Sequence, residues 1–223
     1  MKKEITVEGI RKIIAQRMSE SWHASPRVVY TLSVDMTNTL AFIDEINKES
    51  EDKSQKVTVN HVLMKLCSDA MKEYEYVNSS FEGEKIIIHD KINIGLAVAV
   101  DAGLLVPNVK DVENKDLKTI AVECNDLVVR TRKSKITMYD MEEGTFTITN
   151  LGMMGIESFS PIINQPEVAI LGVNKIEKKP VVINDEITVR PMMNLNFVAD
   201  HRVIDGAYAA KFISRVKELM ESL

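Results

Sequence analysis

Residues 168–199 do most to limit the folds open to this chain. Residues 168–176, 181–183 and 187–199 read as strands, with Asn184-Asp185 as a hairpin turn. An amphipathic helix follows over 206–223, where Ala209, Phe212, Ile213, Val216, Leu219, Met220 and Leu223 recur at helical spacing. A hairpin with one apolar helix against it needs more strands and more cover, and the rest of the chain supplies both. Strand-like runs occupy 28–36, 85–89, 92–100, 104–109 and 145–150, with Ala102-Gly103 as the turn before the fourth. Helical periodicity marks 11–23, a stretch from an N-cap at Thr37 to about 51, then 58–74 and 116–132, and the charged residues 49–56 read as a loop. The pattern predicts one mixed α/β domain over 1–223, with helices covering a mixed, largely antiparallel sheet.

The composition matches an ordinary globular protein, at 45% hydrophobic and 27% charged residues. A net charge of −5 gives no support to nucleic-acid binding, and the basic cluster 130–135 sits at a helix end, where the dipole favours cations. There is no long apolar run or leader pattern, which predicts a protein of the cytoplasm without membrane contact. Cys67 and Cys124 lack CxxC spacing and lie in helical segments, as buried free thiols do.

One segment could carry chemistry. In Asp200-His201-Arg202-Val203-Ile204-Asp205-Gly206 an imidazole follows a strand and precedes a helix. Such an imidazole can serve as a general base if something fixes its orientation. Asp205 is placed to cap the final helix and organise the loop, and Gly206 to allow close backbone approach. Upstream, Thr147 and Thr149 face the same side of their strand, and Thr149 stands at its end before Asn150-Leu151-Gly152, where glycine lets a ligand or another backbone come near. His23, His61 and His89 have no metal-ligand companions at usable spacing and read as structural or surface residues. No Gly-x-Ser-x-Gly elbow, P-loop or Gly-x-Gly-x-x-Gly fingerprint occurs.

Several motifs in order carry a family resemblance. They are residues 9–18 (Gly-Ile-Arg-Lys-Ile-Ile-Ala-Gln-Arg-Met), Asn93 to Ala99, Gly103-Leu104-Leu105-Val106-Pro107, Phe146 to Gly155, Ser160 to Asn164, Pro166 to Val173 and Asp200 to Gly206. Together they resemble the catalytic core of the dihydrolipoamide acyltransferases, the E2 components of 2-oxo-acid or acetoin dehydrogenase complexes. Related chloramphenicol acetyltransferases usually carry a second histidine before the first, where this chain has Asp200.

The resemblance implies a chloramphenicol acetyltransferase-like fold as a trimeric building block. It implies acyl transfer between dihydrolipoamide and coenzyme A, with His201 as general base and Thr149, at the family's serine position, as oxyanion donor. It also implies a pairing of Asp205 with Arg17, support from Gly206, and substrate contacts at Asn150, Gly152 and Leu104. No metal is implied. Active sites would lie between subunits, and the trimers would form a cubic or dodecahedral cage of twenty-four or sixty chains, with the terminal helix helping to join them. The lipoyl group, carried on a separate domain, and the E1 and E3 components would engage parts not found among these residues. Residues 24–28 resemble acetyl-transferring cores. The alternatives are a non-catalytic scaffold of the complex and a same-fold transferase with another acceptor.

Overall fold

A computed structural model describes residues 2–48, 52–100 and 103–223. Among these residues five α-helices and ten strands follow in order: α1 (Gly9–Ala24), β1 (Arg27–Asp35), α2 (Thr37–Lys48), α3 (Val59–Met71), β2 (Ser79–Glu82), β3 (Lys85–Ile88), β4 (Ile94–Leu96), β5 (Val98–Val100), β6 (Gly103–Leu105), β7 (Asn108–Val109), α4 (Leu117–Arg132), β8 (Phe146–Asn150), β9 (Ala169–Ile183), β10 (Glu186–Asp200) and α5 (Gly206–Glu221). Six of the strands form one sheet in the order β1-β10-β9-β8-β4-β7. β8 runs parallel to β4 and β9, and the other three pairings are antiparallel.

Alternation along the strands gives the sheet two unlike faces. Phe146, Ile148, Leu171, Leu195, Phe197 and Ala199 join a large buried cluster with α3, α4 and α5. Phe197 and Phe212 anchor it with ring centroids 5.0 Å apart. The other face carries Thr147, Thr149, Asn174, Asn196 and Thr31 with a small apolar cluster of Ile163, Ile170 and Val198. The 156–167 segment and α1 lie over it, with the Ser21 hydroxyl of α1 donating to Ile163 O.

Several expectations change. Most of the apolar face of α5 is spent inside the chain, where Ala209, Phe212, Ile213, Val216 and Met220 are buried, while Leu219 is half-buried and Leu223 exposed. Thr37 opens α2 but does not cap it. The Asp35 carboxylate does, accepting from Thr37 N at 2.9 Å and Thr37 Oγ1 at 2.5 Å. The expected end of α2 near 51 and Ala102 of the Ala102-Gly103 turn lie outside the described residues. The runs 92–100 and 104–109 each split, because β4 and β7 stay in the main sheet while β5 and β6 leave it as a separate hairpin. β2, not foreseen, pairs with β3.

β9 continues through Glu177-Lys178-Lys179-Pro180, which the sequence suggests is a break. There β9 and β10 project beyond the ends of β1 and β8 as a two-stranded ribbon, so both faces are solvated and a proline on an outer edge is tolerated. The hairpin turn is as expected, with Asn184 and Asp185 both at positive φ.

Candidate active site

The turn between β10 and α5 is built on two carboxylates. Asp200 is buried, and it accepts from the Arg202 backbone N–H (3.0 Å), Nε (3.0 Å) and Nη2 (2.6 Å). This pairing raises the Arg202 pKa, and the guanidinium also lies 4.2 Å from the Phe81 ring centroid. Asp205 caps α5 by accepting from Tyr208 N at 2.8 Å. Between them His201 is exposed, its backbone N–H donating to Pro26 O at 2.9 Å. No hydrogen bond holds its imidazole among the described residues.

Beneath this loop stands Tyr30 of β1, whose hydroxyl is buried without a partner among the described residues. Its pKa is raised by burial and then by the Asp205 carboxylate. Gly206 is not there for close approach. A Cβ on it would meet Tyr30 Oη at an ordinary 3.7 Å.

Thr149 lies nearly buried on the face of β8 away from the main core, opposite Gly172 of β9. Its neighbour Thr147 is fully engaged, its hydroxyl 2.9 and 2.7 Å from the two oxygens of Glu167. The Thr149 hydroxyl makes no such bond among the described residues. Asn150 finishes the strand, its Nδ2 donating to Asn60 Oδ1 (2.7 Å) and its Oδ1 accepting from Gly152 N (2.8 Å). Gly152 is required by packing, since a Cβ there would stand 2.5 Å from Asn174 O. Both residues thus hold the strand end through contacts within the chain.

Register gives the separation of the two main groups. Thr149 pairs with Gly172, Gly172 with Asn196, and His201 lies five residues beyond Asn196. With strands about 4.8 Å apart and about 3.3 Å of rise per residue, Thr149 and His201 stand about 19 Å apart in one chain. A thioester carbon must be within reach of both base and oxyanion donor, so one chain does not assemble the pair.

Arg17 does not pair with Asp205. Its Nη2 donates to Gln165 O at 2.9 Å and to Asn164 Oδ1 at 3.5 Å. α1 lies across the 163–167 loop, which ends on Glu167 two residues before β9. Glu167 is wholly buried, and burial pushes its pKa up to about 8 against the opposing pull of Thr147, Asn164 and Arg17. The sequence offered no sign of this, because Pro166-Glu167 reads as the lead-in to a strand.

Leu104 is half exposed and lines a cavity of about 950 Å³ between α1 and the β4–β7 edge, together with Ile14, Val106, Arg17 and Glu167. Neither His201 nor Thr149 borders it. The other histidines are structural or peripheral: burial lowers His61 to about 4, and its Nδ1 accepts from Thr58 N in the cap of α3, while His23 Nδ1 lies 2.7 Å from Ser19 O. Cys67 and Cys124 are free and buried, and burial raises both thiols. No group of metal-ligating side chains occurs, and no helix is long and apolar enough to cross a membrane, among the described residues.

The fold is shared with chloramphenicol acetyltransferase. That enzyme matches with a TM-score of 0.61 at 12% identity, covering 99% of this chain and all of its own, a likeness of fold alone. Residues 1–223 match the family described as 2-oxoacid dehydrogenases acyltransferase (catalytic domain), and the chain belongs to that family.

Among similar proteins, the lipoamide acyltransferase component of the branched-chain alpha-keto acid dehydrogenase complex of Bacillus subtilis is 41% identical over 99% of this chain and 53% of its own. The chain spans about half the length of the curated relatives it matches, which include components of pyruvate as well as branched-chain complexes. Two solved structures, each with a TM-score of 0.95 and 35% identity over 99% of this chain and 92% of theirs, are the cubic core of the pyruvate dehydrogenase multienzyme complex and Azotobacter vinelandii dihydrolipoamide acetyltransferase. The latter was solved to study a serine, a histidine and an asparagine in its catalytic mechanism. Those three are spaced along that chain as Thr149, His201 and Asp205 are along this one.

Proposed function

We propose that the chain is the catalytic domain of a dihydrolipoamide acyltransferase, moving an acyl group, acetyl by preference, between dihydrolipoamide and coenzyme A. The observation that carries this is a pair of groups without a hydrogen-bond partner among the described residues. They are the His201 imidazole and the Thr149 hydroxyl, at the spacing of the histidine and serine studied in the Azotobacter enzyme.

In this reading His201 removes the proton of the incoming thiol, and the thiolate adds to the thioester carbonyl. The Thr149 hydroxyl donates to the oxyanion as it forms. Collapse expels the other thiolate, which takes the proton back from the imidazolium, so the acyl group has moved and the base is restored. Asp200 with Arg202, and Asp205 with the α5 amide, hold the loop that aims the imidazole. Asn150 and Gly152 fix the end of β8. Threonine in place of serine keeps the donor and restricts its χ1.

Because one chain keeps the two groups about 19 Å apart, the working unit is a trimer whose sites combine His201 of one copy with Thr149 of the next. Trimers then pack into a closed cage, served by lipoyl domains and by the E1 and E3 components, in the cytoplasm of a bacterium or the matrix of a mitochondrion. The 223 residues form its single catalytic domain.

The test is transacetylation between acetyl-coenzyme A and free dihydrolipoamide. His201→Ala should lower kcat by at least about 10²-fold with assembly size unchanged, and near-normal turnover would remove the assignment. Thr149→Val should cost on the order of 10²-fold, and a change below about threefold would place the donor elsewhere.

A further inference from the structure

Gly172, the partner of Thr149 across the β8–β9 ladder, has no side chain on the face where the hydroxyl stands. The ring of Phe159 fills that place. A Cβ on Gly172 would lie 3.2 Å from Phe159 Cζ and 3.3 Å from Cε1. Side chains on neighbouring strands are about 5 Å apart, so the ring edge is no farther than about 8 Å from Thr149 Cβ. The wall is fixed to the sheet on either side of the ring. Lys175 N donates to Ile156 O at 2.8 Å, Asn196 Nδ2 donates to Ser158 Oγ at 3.1 Å, and Pro161 Cδ would lie 3.3 Å from the same Cβ.

An acyl group whose carbonyl oxygen accepts from Thr149 has its alkyl end in the space beside that hydroxyl. With the ring edge no farther than about 8 Å from Thr149 Cβ, that space holds a methyl more readily than a branched chain. We propose that Phe159 is a specificity-determining residue of the acyl site, selecting short unbranched acyl groups by closing the floor over Gly172. The inference rests on the transfer reading above and adds the size of the acyl group. Overall identity leaves that size open, since pyruvate and branched-chain components both match.

The experiment uses the assembled protein. Acetyl-, propionyl- and isobutyryl-coenzyme A are compared as donors to dihydrolipoamide for wild type, Phe159→Ala and Phe159→Leu. Misfit carbons in an apolar pocket cost roughly 10-fold or more each, so wild type should favour acetyl over isobutyryl by at least about 30-fold in kcat/KM. The isobutyryl-to-acetyl ratio should rise at least about tenfold in Phe159→Ala, with Phe159→Leu between the two. The leucine variant decides the matter if the alanine variant does not fold. Equal ratios in wild type and variant, or a wild type that prefers isobutyryl, would overturn the role of Phe159 while leaving acyl transfer intact. A wild type that transfers none of the three removes the transfer reading, and this proposal with it.

Discussion

Two inactive variants should restore each other. If each site takes His201 from one copy and Thr149 from the next, a His201→Ala chain still offers an intact hydroxyl and a Thr149→Val chain an intact imidazole. Each variant alone leaves every site damaged. When equal amounts are unfolded together and refolded, a site has about one chance in two of an intact imidazole and one in two of an intact hydroxyl. Roughly a quarter of sites in random trimers should then be whole. Against single variants at about 1% of wild type, the mixture should reach about 25%, a gain of some 25-fold. The assay is transacetylation on co-refolded mixtures across a series of ratios, with activity peaking near one to one. A mixture no better than the mean of its components would refute the register argument, because both groups would then be working within one chain.

Glu167→Gln should change the pH dependence of stability and leave the fold alone. A carboxyl raised to about 8 when folded contributes no penalty below its unfolded value near 4.5, and an increasing one as pH rises from there to about 8. The lost stability is on the order of 4–5 kcal/mol by pH 8.5. Glutamine mimics the protonated acid, so urea unfolding at fixed protein concentration should find variant and wild type alike at pH 5 and the variant ahead at pH 8.5. Parallel curves would mean that the buried acid does not titrate there. Two glycines should behave oppositely. Gly152→Ala forces a methyl to within 2.5 Å of Asn174 O and should cost about 2 kcal/mol or more in thermal or urea unfolding, whereas Gly206→Ala, with only ordinary contact at 3.7 Å, should be neutral or slightly stabilising.

What the sequence revealed, and what it hid, follows from the range of each interaction. Helical periodicity and the Asn184-Asp185 turn are local, so α1, α3, α4, α5 and the β9–β10 hairpin were legible in outline. So was the capping by Asp205, a contact over three residues. The splitting of 92–100 and 104–109 was not, because it depends on which strands those residues meet. The neighbours of Arg17 are almost 150 positions away, and Glu167 became a buried acid only once β8 and α1 closed around it. His201 and Thr149 were found as residues by motif. That they lie about 19 Å apart in one chain is a property of register, which no single segment carries.

The division of the sheet into an apolar face and a polar one also bears on how the protein comes into being. The large cluster that runs from Val34 to Met220 is closed within one chain. The polar face across the middle of the sheet is satisfied there too, with Thr147 donating to Glu167 and Asn196 donating to Thr31 and Ser158. Folding and association are therefore separable events. A newly made chain can then reach its final shape alone, and on the proposed reading it has no turnover until another copy arrives to complete a site.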